Sequence, residues 1–188
     1  MSWIDRFGRA VKTIVDTAWM ALVHPRTAIL TRPVTLTLQG ANTLDCGPCV
    51  AVMVEQLLKG SSATLADARV ALLGSYSGGQ TSVPAMVDWF TIRGLNAAYI
   101  PVNPKGLVET MRKALNGGAY CIPLVRFRYQ RTNGHFILVY GVKDDGTIYA
   151  ADPAFGFDSW SMRAFEDDTA MPCDRFDKLT PVIIVRRS

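Results

Sequence analysis

The chain has 188 residues, of which 49% are apolar and 19% charged, with a net charge of +4. That suits a single globular domain with one good core, and the basic excess is too mild and too scattered to predict nucleic-acid binding, although it favours anionic partners such as cell-wall polymer or acidic peptide. The longest uncharged stretch, Val70 to Val87, is broken by Gly, Ser, Gln and Pro, which excludes a bilayer-spanning helix there.

At the start of the chain, Trp3, Ile4, Phe7, Val11, Ile14, Val15, Ala18 and Leu22 recur at helical spacing. The spacing predicts an amphipathic helix over 3–22, with Pro25 and Pro33 marking a connector. Residues 1–33 therefore read as an appendage that docks on the chain's own core, on a protein partner or on a membrane surface. Asp5, Arg6, Arg9, Lys12 and Asp16 fall where a secretory signal would be apolar, so Sec export is not expected and a cytoplasmic or virion-associated location is. In such a setting Cys46, Cys49, Cys121 and Cys173 are expected as free thiols.

Residues 34–188 form the main domain. A short strand is predicted at Val34 to Leu38, followed by a buried helix from Gly47 to Lys59 that begins at Cys46 and stops at Gly60. A second helix covers about 64–73. A third follows Ser82, has Pro84 in its first turn and ends at Gly94. The period then changes: a strand over 97–102, a helix over 104–115 and a strand over 120–126. Asp144-Asp145-Gly146 marks a hairpin between strands 135–142 and 147–151, and 181–186 supplies a last apolar strand. Helices first and an antiparallel sheet after them make an α+β domain.

A thiol attacks as its thiolate, and the unpaired amides at a helix N-terminus favour the ionised form. Asp45-Cys46-Gly47-Pro48 is well suited to open a helix: Pro48 tolerates the first turn, and Gly47 is expected to let a substrate backbone approach the sulfur. The base for neutral-pH chemistry is a histidine, and the chain has only His24 and His135. His24, between an apolar helix and Pro25, reads as a helix C-terminal residue. His135 starts a strongly apolar strand after Asn133-Gly134, at a sheet edge where loops meet. Asp152, across the hairpin, is placed to orient the imidazole, although alone it reads as an Asp-Pro turn. Gln39, upstream of Cys46, alone reads as a surface residue; the order Gln, Cys, His, Asp makes it a candidate oxyanion donor.

Gln39, Asp45-Cys46-Gly47-Pro48 opening a helix, Gly134-His135-Phe136 on a strand and Asp152-Pro153 after the hairpin together resemble one family, the bacteriocin-processing papain-like cysteine peptidases, which remove double-glycine leaders. The resemblance covers about residues 34 to 186 in motif order. It implies a papain-like fold with N-terminal helices packed on a C-terminal antiparallel sheet. It also implies Cys46 as nucleophile, His135 as base, Asp152 as orienting residue, Gln39 as oxyanion donor, a peptide or leader substrate, and no cofactor or metal. The best-known members are fused to membrane transporters, whereas this sequence shows no transmembrane or nucleotide-binding part. Other peptides, peptidoglycan cross-links, or a binding or assembly role, for instance in a phage particle, remain open for standalone relatives.

Two rival readings concern the cysteines. Cys46-Gly47-Pro48-Cys49 is similar to the thioredoxin motif, which predicts thiol-disulfide exchange, yet the residues before it form a polar loop instead of a buried strand. A zinc site built from the four cysteines lacks the second close pair that structural sites usually show.

Overall fold

The computed structural model describes residues 28–29, 34–40, 43–60, 63–75, 77–127, 130–171 and 178–188. The amphipathic segment expected over 3–22 and Cys173 lie outside these residues.

Three helices open the domain, each with the local signals the sequence carries. Helix α1 (Cys46–Lys59) ends at Gly60, whose φ of 79° is a left-handed cap that glycine adopts without strain. Its apolar residues are buried nearly all round, as befits a helix enclosed by other elements. Helix α2 (Leu65–Leu72) begins with a complete capping box: the Thr64 hydroxyl accepts from the Asp67 N–H, and the Asp67 carboxylate accepts from the Thr64 N–H, each at 3.1 Å. Helix α3 (Val83–Ile92) starts behind Ser82, whose hydroxyl accepts from the Ala85 N–H, with Pro84 in the first turn. The buried Glu55 of α1 ties these elements together, accepting from Lys59 at 3.3 Å and from the Ala63 N–H at 3.2 Å, with Arg93 at 3.5 Å.

The sheet is antiparallel throughout, built from β1 (Ala28–Ile29), β2 (Leu95–Val102), β3 (Tyr120–Phe127), β4 (Gln130–Phe136), β5 (Leu138–Val142), β6 (Ile148–Asp152), β7 (Gly156–Trp160) and β8 (Thr180–Arg187). The path of neighbours runs β2-β8-β3-β5-β6-β7, with β1 beside β5 and β4 beside β3. Because β4 and β5 pair with β3 in one shared register, they are two halves of a single long strand interrupted at Ile137. A fourth helix, α4 (Leu107–Asn116), follows a 3-10 turn at Pro104–Gly106 and connects β2 to β3.

Side chains alternate across each strand, and the alternation divides the core in two. Tyr120, Ile122, Ile183 and Val185 face α1, α2 and α3, joined by Phe136, Leu138 and Ala151. Cys121, Val182 and Ile184 face α4 on the other side, joined by Val139, Val142, Ile148 and Ala150. The central strands are covered on both faces, which is why 181–185 reads as an unbroken apolar run instead of an alternating one.

Three expectations need correction. The segment 34–38 joins no strand ladder and runs as a loop, since the Gln39 N–H bonds outside the sheet, to the Pro153 carbonyl at 2.9 Å. His135 does not begin a strand; it lies near the end of β4, a polar segment whose partner is β3, with His135 opposite Val125. The expected helix over 104–115 is 3-10 in its first turn, where Asn103 accepts from the Lys105 N–H. Strand β7 has no counterpart in the sequence reading; its residues alternate between half-buried and exposed at the end of the sheet path, and only pairing with β6 orders them.

Candidate active site

Cys46 is the first residue of α1 and is half-buried. The turn before it is held from a distance: Asp45, although it occupies the N-cap position, makes no capping bond, and both its oxygens go to Arg69 of α2. The Arg69 guanidinium hydrogen-bonded to Asp45 holds that carboxyl below its ordinary range against the opposing effect of burial.

Gly47 has a different role from the expected one. A Cβ there would lie 2.5 Å from the Thr81 hydroxyl oxygen and 2.6 Å from the Thr81 Cβ. The space a side chain would need is filled by Thr81 from the segment before α3, so glycine lets that segment seat against α1 instead of making room for a substrate.

The sheet supplies the imidazole and a carboxylate. His135 from β4 and Asp152 from the end of β6 are both buried, and His135 Nε2 lies 2.8 Å from Asp152 Oδ1. The same Oδ1 accepts the Ala154 N–H at 2.7 Å, which fixes the carboxylate. A carboxylate oxygen that already accepts the Ala154 N–H accepts from the ring as well, so Nε2 is the donor in this bond and Nδ1 is the ring nitrogen it leaves free. Burial alone would lower the imidazole pKa; the Asp152 carboxyl bonded to Nε2 and the Cys46 sulfur beside the ring overcome it and raise it from 6.5 to about 9. A protonated imidazole beside the sulfur is thus favoured at neutral pH.

Aromatic rings close over this pair. Phe127, at the end of β3, meets the His135 ring edge-on at 5.2 Å and stacks on Phe155 at 5.7 Å. Excluding water from the imidazole strengthens every charge interaction it makes. Gln39 is brought alongside by its backbone bond to Pro153, one residue beyond Asp152, and its side-chain Oε1 is buried without a hydrogen-bond partner.

The structure therefore brings Cys46, His135 and Asp152 into one connected set and places Gln39 next to the Asp152 end. Arg69, Thr81, Phe127 and Phe155 were not singled out in the sequence. Each is an ordinary residue of its own segment, and only the tertiary contact gives it meaning.

By sequence, the chain matches no family model and no curated protein. Among solved structures it is similar to a double glycine motif protease from an AMS/PCAT transporter in complex with the leader peptide, at 22% identity and a TM-score of 0.60, over 85% of this chain and 98% of that one. It is also similar to the peptidase domain of Streptococcus ComA, a bi-functional ABC transporter involved in a quorum sensing pathway, at 18% identity and a TM-score of 0.56, over 83% and 100% of the two chains. The chain has the papain-like cysteine peptidase fold.

In this papain-like fold Cys49 and Cys121 sit apart from solvent. Cys49 is fully buried one turn into α1, and burial, with the nearby charges of Asp45 and Cys46, pushes its thiol up to about 12. Cys121 lies fully buried in β3, its thiol within 3.7 Å of the Met111 carbonyl, and burial pushes its pKa up as well. Among the described residues, no cluster of His, Cys, Asp and Glu is arranged to hold a metal ion, and no helix is long and apolar enough to cross a membrane.

Proposed function

We propose that the chain is a cysteine peptidase that cleaves peptide bonds by acyl transfer through Cys46, with an extended peptide such as a leader sequence as substrate. The observation that carries this reading is the 2.8 Å bond between His135 Nε2 and Asp152 Oδ1, with the Cys46 sulfur close enough to the same imidazole to help raise its pKa. The similarity to a protease bound to a leader peptide supports a peptide as the substrate class.

In this mechanism the Cys46 sulfur attacks the scissile carbonyl while His135 holds the proton. The oxyanion forms beside the first turn of α1, where the Cys46 N–H and the Gln39 side-chain amide donate to it; with Oε1 turned inward, the NH2 end of Gln39 is the one left to donate. Collapse of the intermediate breaks the C–N bond, and the imidazolium protonates the departing amine. Water, deprotonated by His135, then hydrolyses the thioester and returns Cys46. Asp152 keeps Nε2 as the donor throughout, so that Nδ1 handles the proton.

The oxidoreductase reading of Cys46-Gly47-Pro48-Cys49 has less support, because the described residues just before α1, 34–40 and 43–45, form no strand and His135 and Asp152 would have no part in it. The test is digestion of a peptide library containing double-glycine leaders, and in parallel of purified cell wall, by wild type, Cys46→Ala and His135→Ala. Cleavage of peptides by wild type alone is the expected result. Cleavage that survives Cys46→Ala would overturn the assignment, as would a Cys46 that iodoacetamide modifies no faster than a thiol in the denatured chain.

A further inference from the structure

Asp45 is an unusual neighbour for a nucleophile. It stands at the N-cap of α1, where an Asp ordinarily accepts from the amides of the first turn, yet its φ and ψ of −81° and 4° are not those of an extended cap and it makes no capping bond. It is only 2% exposed, so its charge is not dispersed by water. Both of its oxygens are taken by one residue distant in sequence: Arg69 Nε donates to Oδ1 at 2.9 Å and Nη2 to Oδ2 at 2.6 Å, the planar fork matching the carboxylate edge to edge.

We propose that Arg69, carried on α2, is a positioning residue for the Cys46 nucleophile that acts through Asp45, keeping its carboxylate off the start of α1 and cancelling its charge one residue from the sulfur. This inference rests on Cys46 being the nucleophile. Without Arg69, the carboxylate has two courses, and both oppose a thiolate. Left in place, it is a buried negative charge beside the sulfur. Turned onto α1, it occupies the first-turn amides and offsets the positive end of the helix dipole, the groups an oxyanion and a thiolate both need.

Among the described residues, the titratable groups around the sulfur are His135 from β4 with Asp152 of β6 behind it, Asp45 and the buried Cys49 thiol from its own turn, and Arg69 from α2. The fields of Asp45 and Arg69 both reach this turn. Burial dominates the upward push on the Cys49 thiol, and of the charges around it Asp45 adds to the push while Arg69 opposes it. A conservative Lys at 69 would keep the cancellation but lose the fork.

The test is the pH dependence of iodoacetamide alkylation at Cys46, located by mass spectrometry, in wild type, Arg69→Met, Asp45→Asn and the Asp45→Asn/Arg69→Met pair. Arg69→Met is expected to slow alkylation about tenfold at neutral pH and to move its onset to higher pH. The pair, with no charge left to cancel, is expected to return to within about threefold of wild type, which a merely structural tie between the helices would not do. A pair as slow as Arg69→Met, or an Arg69→Met profile that overlays wild type, would overturn the proposal. Should Arg69→Met not fold, the pair and Arg69→Lys decide: both near wild type supports charge cancellation, and either one slowed about tenfold refutes it. Alkylation needs no substrate, so the underlying assignment fails separately, when His135→Ala leaves the wild-type profile unchanged.

Discussion

Replacing Asp152 by Asn removes the charge behind His135 while leaving the acceptor in place. Oδ1 of Asp152 serves two donors, His135 Nε2 at 2.8 Å and the Ala154 N–H at 2.7 Å. The backbone N–H cannot turn round, so in Asp152→Asn it selects the amide oxygen for that position, and the oxygen continues to accept from Nε2. The tautomer with the proton on Nε2 survives; only the charge is lost. That charge is part of what lifts the imidazole from 6.5 to about 9, a rise worth about 3 kcal/mol at about 1.4 kcal/mol per unit and shared with Cys46. Burial, which pulls the other way, remains. The alkaline limb of the kcat/KM profile on a cleavable peptide is therefore expected to fall by at least about one pH unit, and cleavage at neutral pH by about tenfold to a hundredfold. Asp152→Ala leaves the Nε2 proton facing a void and is expected to lose about a thousandfold. An Asp152→Asn profile whose alkaline limb coincides with wild type would refute this reasoning, and so would equal loss in the two variants.

Three further outcomes follow from the same geometry. The folded pKa of His135, about 9, lies above its ordinary 6.5; the stability it contributes is complete below the lower value and is lost as pH rises through the upper one, so calorimetry should find the midpoint of wild type falling across that window relative to His135→Ala. Gly47→Ala places a Cβ 2.5 Å from the Thr81 hydroxyl oxygen, with an expected cost of about 1–3 kcal/mol and a loss of cleavage above about tenfold, and adding Thr81→Gly should recover much of both in the same denaturation and cleavage assays. Cys49→Ala is expected to cost about 1 kcal/mol while leaving peptide cleavage within about threefold of wild type, whereas a thiol-disulfide exchanger would lose its activity in an insulin-reduction assay.

What was legible in the sequence were the features written in adjacent residues. Ser82 with Pro84, Gly60 after Lys59, and the Asp144 to Gly146 turn each fix a local conformation, and α1, α3 and the β5–β6 hairpin appear where those signals stand. Cys46 and His135 could be ranked because the chain has only four cysteines and two histidines, and Asp152 because its place after the hairpin restricts the choice. What escaped were features that exist only through a partner. Strand β4 contains Asn133 and Gly134, which by sequence stand where loops meet, yet Gly134 pairs with Arg126 of β3. Conversely, the apolar alternation at 34–38 suggested a strand, but no neighbour offers it a ladder. The fork of Arg69 on Asp45 joins residues 24 apart, and the Phe127 ring over His135 depends on the bulge where β3 leaves register with β4. No window of sequence contains either.

The sulfur rides on a helix and the imidazole on the sheet, and one shared apolar layer, in which Val50 and Met53 meet Phe136, Leu138 and Ala151, sets the gap between them. In the proposed mechanism, hydrolysis is accordingly a gauge of how well those two slabs are seated. Mild denaturant should extinguish turnover while circular dichroism still registers intact helices and strands, because a slip far too small to melt either slab is enough to part the reacting atoms.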